Sequence, residues 1–162
     1  MSVPEIADLE QKLEAHRREL YDQVKALSDA RLREHLSGNE WSAKQQLAHV
    51  RQAEEAWLGW ALQVRAHPGA EIGPFDSLDS GAVATADDRS LDELLAALDA
   101  QREQTLAAIR RLSFEDLQRK GRHSDFGELT VLQCLRALYR HQRMHMDQIA
   151  GREQSFIPGG RS

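Results

Sequence analysis

The sequence predicts an all-α fold, a four-helix bundle, on three observations. Apolar residues recur at three- and four-residue steps over four long segments. Three of these segments open on a capping signature, Ser42 with Gln45, Ser90 with Glu93 and Thr130 with Gln133. No segment shows sustained period-two alternation, the mark of a half-buried strand.

The first helix spans roughly Pro4 to Leu27, with Ile6, Leu9, Leu13, Leu20, Val24 and Leu27 on one stripe and Pro4 acceptable in the first turn. His16 falls within that stripe, either as a hydrogen-bonded histidine near the bundle edge or as an approach to a metal. The second helix, starting at Ser42, has a broad apolar face of Leu47, Val50, Ala53, Trp57, Leu58, Trp60, Ala61 and Val64. His49 sits at the margin of that face, and Leu62 falls on the polar side as a candidate subunit contact. The stretch from roughly Ala66 to Arg89 is rich in Gly, Pro, Asp, Ser and Ala; so long a connection is either a plain crossover or a lid across one end of the bundle. The third helix carries Leu91, Leu94, Leu95, Leu98, Thr105, Ile109 and Leu112. After a loop through Arg122–Phe126, the fourth runs from Thr130 to a C-terminal cap near Gly151. A weak repeat, Leu27-Ser28 with Leu32 and Leu112-Ser113 with Leu117, suggests two helical hairpins. Residues 1–151 therefore form the bundle domain and 152–162 a flexible tail.

A chain of 162 residues is one domain by length, and its net charge of −5, without any basic block interleaved with aromatics, argues against a nucleic-acid partner. The N-terminal Met1-Ser-Val-Pro-Glu5 is neither basic nor followed by an apolar run, and no run is long enough to cross a bilayer. The expectation is a cytoplasmic protein with no membrane partner. The single cysteine, Cys134, excludes an intramolecular disulfide and reads as a small core residue before it reads as a catalytic thiol.

The chemistry lies in the histidines. His141 and His145, four apart on a helix, stack on one face and aim two imidazoles at one point; a third ligand must come from elsewhere. They flank the apolar side formed by Val131, Leu135, Leu138, Tyr139, Met146 and Ile149, as His49 flanks its own. Neutral imidazoles at the edges of buried faces suit a transition metal. The alternative is that each is a core histidine satisfied by a carbonyl or a water. Two other helical metal chemistries are excluded by the residues: a zincin needs Glu where this chain has Gln142, and a carboxylate-bridged di-iron site needs Glu three residues before each histidine, where Leu138 and Gln142 stand.

Leu27-Ser28, then Trp41-Ser42 opening a helix with Leu47-Ala-His49 and Glu54, then Gly127-Glu-Leu-Thr130 opening a helix with His141, His145 and Gln148-Ile149, resembles the DinB-like superfamily over nearly the whole chain. The resemblance implies an up-down-down-up four-helix bundle, a homodimer, and a divalent metal, zinc or nickel, on His49, His141 and His145. Some members of that family are thiol-dependent S-transferases or isomerases. The leading expectation is accordingly a metal-dependent S-transferase that activates a low-molecular-weight thiol toward a small electrophilic substrate, held between the metal end of the bundle and the long connection. A metal-dependent hydrolase and a non-enzymatic, stress-related metal-binding protein are the alternatives. Glu54, nearer the middle of its apolar face than a carboxylate normally lies, either orients a histidine or a bound water or pairs with an arginine while partly solvated. Gln142 and Tyr139 either bond a substrate or are satisfied across the bundle. Trp41, Trp57 and Trp60 read as core and interface bulk, and His123 as a loop histidine, solvated or near the metal end.

Overall fold

The computed structural model describes residues 3–35, 41–75 and 80–152; beyond Arg152, the predicted tail lies outside the described residues. Four long helices carry the chain: α1 (Pro4–Lys25), α3 (Ala43–Ala66), α5 (Leu91–Ile109) and α7 (Val131–Ile149). Short helices α2 (Asp29–Arg33), α4 (Ser80–Ala84) and α6 (Phe114–Gln118) occupy the connections. Ser42 and Thr130 accept from the backbone N–H groups of Gln45 and Gln133, whose side chains bond back to the cap, so two of the three predicted capping boxes form. Ser90 caps α5 through the Glu93 N–H. The two repeated Leu-Ser pairs prove to be caps as well: Ser28 starts α2, and Ser113 with Asp116 starts α6. The first helix consequently stops at Lys25, short of Leu27.

The apolar stripes divide into two cores stacked along the bundle. One gathers Leu9 and Leu13 of α1, Trp57, Ala61 and Val64 of α3, Ile109 of α5 and Val131 to Tyr139 of α7. The other gathers Leu20 and Val24 of α1, Leu47 and Val50 of α3, Leu94 and Leu98 of α5, and Met146 and Ile149 of α7. The starts of α1 and α7 share one core and the starts of α3 and α5 the other, which is the up-down-down-up arrangement. Leu62, read as a subunit contact, packs half-buried against the first core. Among the described residues no helix is long and apolar enough to cross a membrane.

A three-stranded sheet, unforeseen by periodicity, closes one flank. Strand β1 (Glu71–Ile72) pairs in parallel with β2 (Lys120–His123), which pairs antiparallel with β3 (Gly127–Thr130), His123 opposite Gly127. The segment read as a loop around His123 is therefore a hairpin, and part of the long connection is its third strand. Gly121 lets β2 lie against α3: a Cβ there would meet Val64 Cγ2 at 2.4 Å and the Ala70 carbonyl at 2.9 Å.

Candidate metal centre

Between the two cores runs a polar layer to which every long helix contributes: Arg17 from α1, His49 and Glu54 from α3, Gln101 and Thr105 from α5, and His141, Gln142 and His145 from α7. The predicted histidines thus meet in the middle of the bundle, where sequence reasoning put them at its end. Their ring centroids lie 4.6 Å (His141–His145), 4.9 Å (His49–His145) and 5.1 Å (His49–His141) apart. One nitrogen from each falls within 4.8 Å of the others, a group that could hold a metal ion.

The protonation pattern fits that use. Gln46 Oε1 stands 3.0 Å from His145 Nδ1, so this nitrogen carries the proton and donates, leaving the Nε2 lone pair facing His141. The two Nε2 atoms are 3.2 Å apart, close to the roughly 3.3 Å between two nitrogens on a tetrahedral zinc at ordinary Zn–N lengths. Burial holds His49 down to about 4 and His145 to about 3; burial and the neighbouring imidazoles hold His141 well below its ordinary value. All three are neutral near pH 7 and present nitrogen donors without competition from protons. Gln46, which holds His145, was missed in the sequence although it lies one helical turn before His49; a ligating histidine ordinarily has such a partner, and that rule was the available signal.

Two aromatic side chains wall the cluster. Trp41, just before α3, lies 4.8 Å from the His49 ring and 6.3 Å from His145; Phe75, in the connection after β1, stacks on His141 at 5.5 Å and lies 6.0 Å from His49. The 66–89 connection is thus no plain crossover, because it carries Phe75 onto the histidines. Trp57 is fully buried and Trp60 half-buried, both against Phe75.

Glu54 and Gln142 occupy the other half of the polar layer. Glu54 Oε1 accepts from Arg17 Nη2 (2.7 Å) and Arg102 Nη2 (3.1 Å), and Oε2 accepts from Thr105 Oγ1 (2.7 Å) and Arg102 Nε (3.2 Å). Both oxygens are engaged away from the histidines, and the arginine pairing weighed for Glu54 is present, fully buried where partial solvation was expected. Gln142 Oε1 accepts from Arg17 Nε at 2.8 Å. A single side chain, Arg17, therefore ties α1 to α3, α5 and α7, donating also to the Leu98 carbonyl.

The remaining candidates lie apart. His16 packs on Tyr139 and faces Arg143 Nη2 at 3.1 Å, hydrogen-bonded as the cautious reading had it. His123 is neither solvated nor among the ligands: 1% exposed, it stacks on Trp57 and accepts from the Asp125 N–H through Nδ1. Cys134 is a core residue whose thiol burial pushes up to about 12, unfit as a nucleophile.

A four-helix bundle with an internal three-imidazole cluster defines the class of protein. Residues 12–149 match the family model of the DinB superfamily, and the chain belongs to that superfamily. It is 27% identical over 150 residues to the uncharacterized protein YuaE of Bacillus subtilis (strain 168), covering 82% of this chain and 90% of that protein. Among solved structures, YfiT from Bacillus subtilis, described as a probable metal-dependent hydrolase with an unusual four-helix bundle topology, aligns with a TM-score of 0.75 at 19% identity over 93% of this chain and 87% of that one. The mycothiol-dependent maleylpyruvate isomerase aligns with a TM-score of 0.70 at 14% identity over 91% of this chain and 61% of that one. At these identities the structural matches carry the fold.

Proposed function

We propose that the chain is a metal-dependent S-transferase that activates a low-molecular-weight thiol toward a small electrophile. The observation that carries this reading is the ligand set: three neutral imidazoles, no carboxylate in the group, between two aromatic walls. An all-imidazole set favours zinc or nickel over magnesium. Bound there, a divalent metal would supply Lewis acidity that lowers the pKa of a thiol or a water. His145, held in one tautomer by Gln46, keeps the donor set aligned. Trp41 and Phe75 exclude water from the face they flank and give an apolar electrophile a surface to lie on.

Hydrolysis is the second reading, favoured by the description of YfiT. It asks more of the protein, since expelling an amide or ester leaving group calls for a proton donor, and the carboxylate placed nearest in the polar layer, Glu54, is tied to two arginines. The test is conjugation of bacillithiol, mycothiol or glutathione to a chloronitroarene by zinc- and nickel-loaded protein. The expected outcome is thiol consumption that disappears on chelation and in His49→Ala, His141→Ala and His145→Ala. Ester cleavage without thiol, lost in the same variants, would replace this reading with the hydrolase.

A further inference from the structure

On the far side of Arg17 from α7, helices α1 and α5 border an open groove of about 400 Å³. Leu13, Leu106 and the ring of Tyr21 make its apolar wall, and it reaches inward to Arg17 and Arg102. The charges along the rim cancel: Arg18 pairs with Glu14 at 2.7 Å and Arg110 with Glu10 at 2.6 Å. The floor does not cancel. There two guanidinium groups share one carboxylate, Glu54, and Arg17 is 7% exposed, so the surplus positive charge lies where solvent screens it poorly. Donors are in surplus as well. A guanidinium has five N–H groups, whereas Arg17 makes bonds to Gln142, Leu98 and Glu54, and Arg102 bonds to Glu54 twice and to Leu13 once. Burial and the adjacent Arg102 both press on Arg17 toward losing its proton, a pressure that a second anion would relieve.

We propose that this groove is a second ligand site, separate from the histidine cluster, which binds a small organic oxyanion. Its carboxylate or phosphate is taken by Arg17 and Arg102, and its apolar body lies along Leu13, Leu106 and Tyr21. Guanidinium is suited to planar and tetrahedral oxyanions alike, and the cavity is of the size that holds one small molecule. Because the site contains no histidine, ligand binding there is independent of the metal.

The experiment is an amide-resolved NMR titration of the ¹⁵N-labelled full chain, metal-free and zinc-loaded, with benzoate and phenyl phosphate, and with benzylammonium as the cationic control. Saturable shifts confined to residues around Leu13–Tyr21 and Arg102–Leu106, the same with and without zinc and absent with benzylammonium, are expected. Arg102→Gln, which removes the surplus charge, should weaken binding roughly tenfold or more, the loss of a charge-assisted hydrogen bond. Leu106→Glu, which leaves the bonds of Arg17, Arg102 and Glu54 in place, should do the same by repelling the anion and removing apolar wall, and it decides alone if Arg102→Gln fails to fold. No saturable shift with either anion, equal shifts with benzylammonium, or binding unchanged in the variants that fold would overturn the proposal. Metal-dependent shifts at His49, His141 or His145 alone would assign the anions to the histidine cluster and overturn it too.

Discussion

His49 and Glu54 stand five residues apart on α3, and His141 and Gln142 are neighbours on α7, yet they belong to clusters of opposite design. Around Glu54, cationic donors meet an anionic acceptor: two arginines and a threonine bind one carboxylate, and Gln142 extends the network across four helices. Around His49, His141 and His145, nitrogens converge on one another, two of them 3.2 Å apart, with aromatic rings outside. A hydrogen-bonded ion-pair network that joins four helices specifies the fold; a set of converging neutral nitrogens asks for a cation. The two halves should therefore respond differently to mutation, acid and metal.

The largest effect is expected at Glu54. Burial opposes its charge, but Arg102 and Arg17 outweigh burial and hold its carboxyl below the ordinary carboxylate value. Glu54→Ala leaves the buried Arg17 guanidinium facing the part-buried one of Arg102 and should cost about 3–5 kcal/mol in urea unfolding. Replacing His141 by Ala in metal-free protein should cost far less, because it removes a neutral group and leaves no buried charge unpaired. Equal losses from the two substitutions would erase the distinction.

Acid separates the halves next. The unfolded chain protonates its histidines below about pH 6.5, whereas His49 waits until about 4 and His145 until about 3. Between those limits the unfolded state binds more protons, so stability of the metal-free protein is full above about 6.5 and falls as pH drops toward 4. The Glu54 shift runs in the same direction for a different reason, pairing with arginines that outweighs burial, and its window is lower: the contribution is present above its unfolded value near 4.5 and lost as pH falls through its depressed folded value. His16 and His123, also lowered by burial, add to the histidine slope. Urea midpoints measured from pH 8 to 3 with chelator should show both windows. Substituting Gln for His49, His141 and His145 together should flatten the upper one and spare the lower.

Metal should act on one half alone. At a free zinc or nickel concentration a hundredfold above Kd, native-state binding adds about 2.7 kcal/mol, read as a higher thermal midpoint. Each histidine-to-alanine variant should lose that gain. A melt that saturating zinc and nickel leave unchanged would remove the cation from the account of the cluster.

How much of this contrast is visible in the sequence depends on range. Helix starts and the two stripes of α1 and α7 follow from local spacing and appear where they were expected; the same spacing brings His141 and His145 together on α7, but in the middle of the bundle and not at its end. The hairpin does not, because Lys120 and Arg122 alternate with Gly121 and His123, and neither pair carries an apolar signal. The fate of Glu54 was half legible. A carboxylate on an apolar face must find a cation, and Arg17 interrupts the stripe between Leu13 and Leu20 in the same way, but which buried charge meets which is decided across 37 residues of sequence. Phe75 lacked even that, lying in a connection with no periodicity to place it.

Two glutamines give the finest division, with effects of the smallest size. Gln46 belongs to the histidine half, accepting from His145 Nδ1; Gln142, next to His141 in sequence, belongs to the other half, accepting from Arg17 Nε. Gln46→Leu should leave the urea midpoint of metal-free protein nearly unchanged, since it removes one bond between neutral groups, worth about 1 kcal/mol, and adds apolar contact. It should nevertheless weaken zinc affinity 10- to 100-fold, roughly the loss seen when a ligating histidine loses its orienting partner. Gln142→Leu should do the reverse. An unpaired Nε on buried Arg17 costs about 1.5–3 kcal/mol of stability, while zinc affinity, measured by competition with a chromophoric chelator, stays within a few-fold of the parent because no ligand has lost its partner. If instead Gln142→Leu cost metal affinity as heavily as Gln46→Leu, the polar layer would be one coupled network through Arg17, and the arginine half would have to be counted as part of the metal centre.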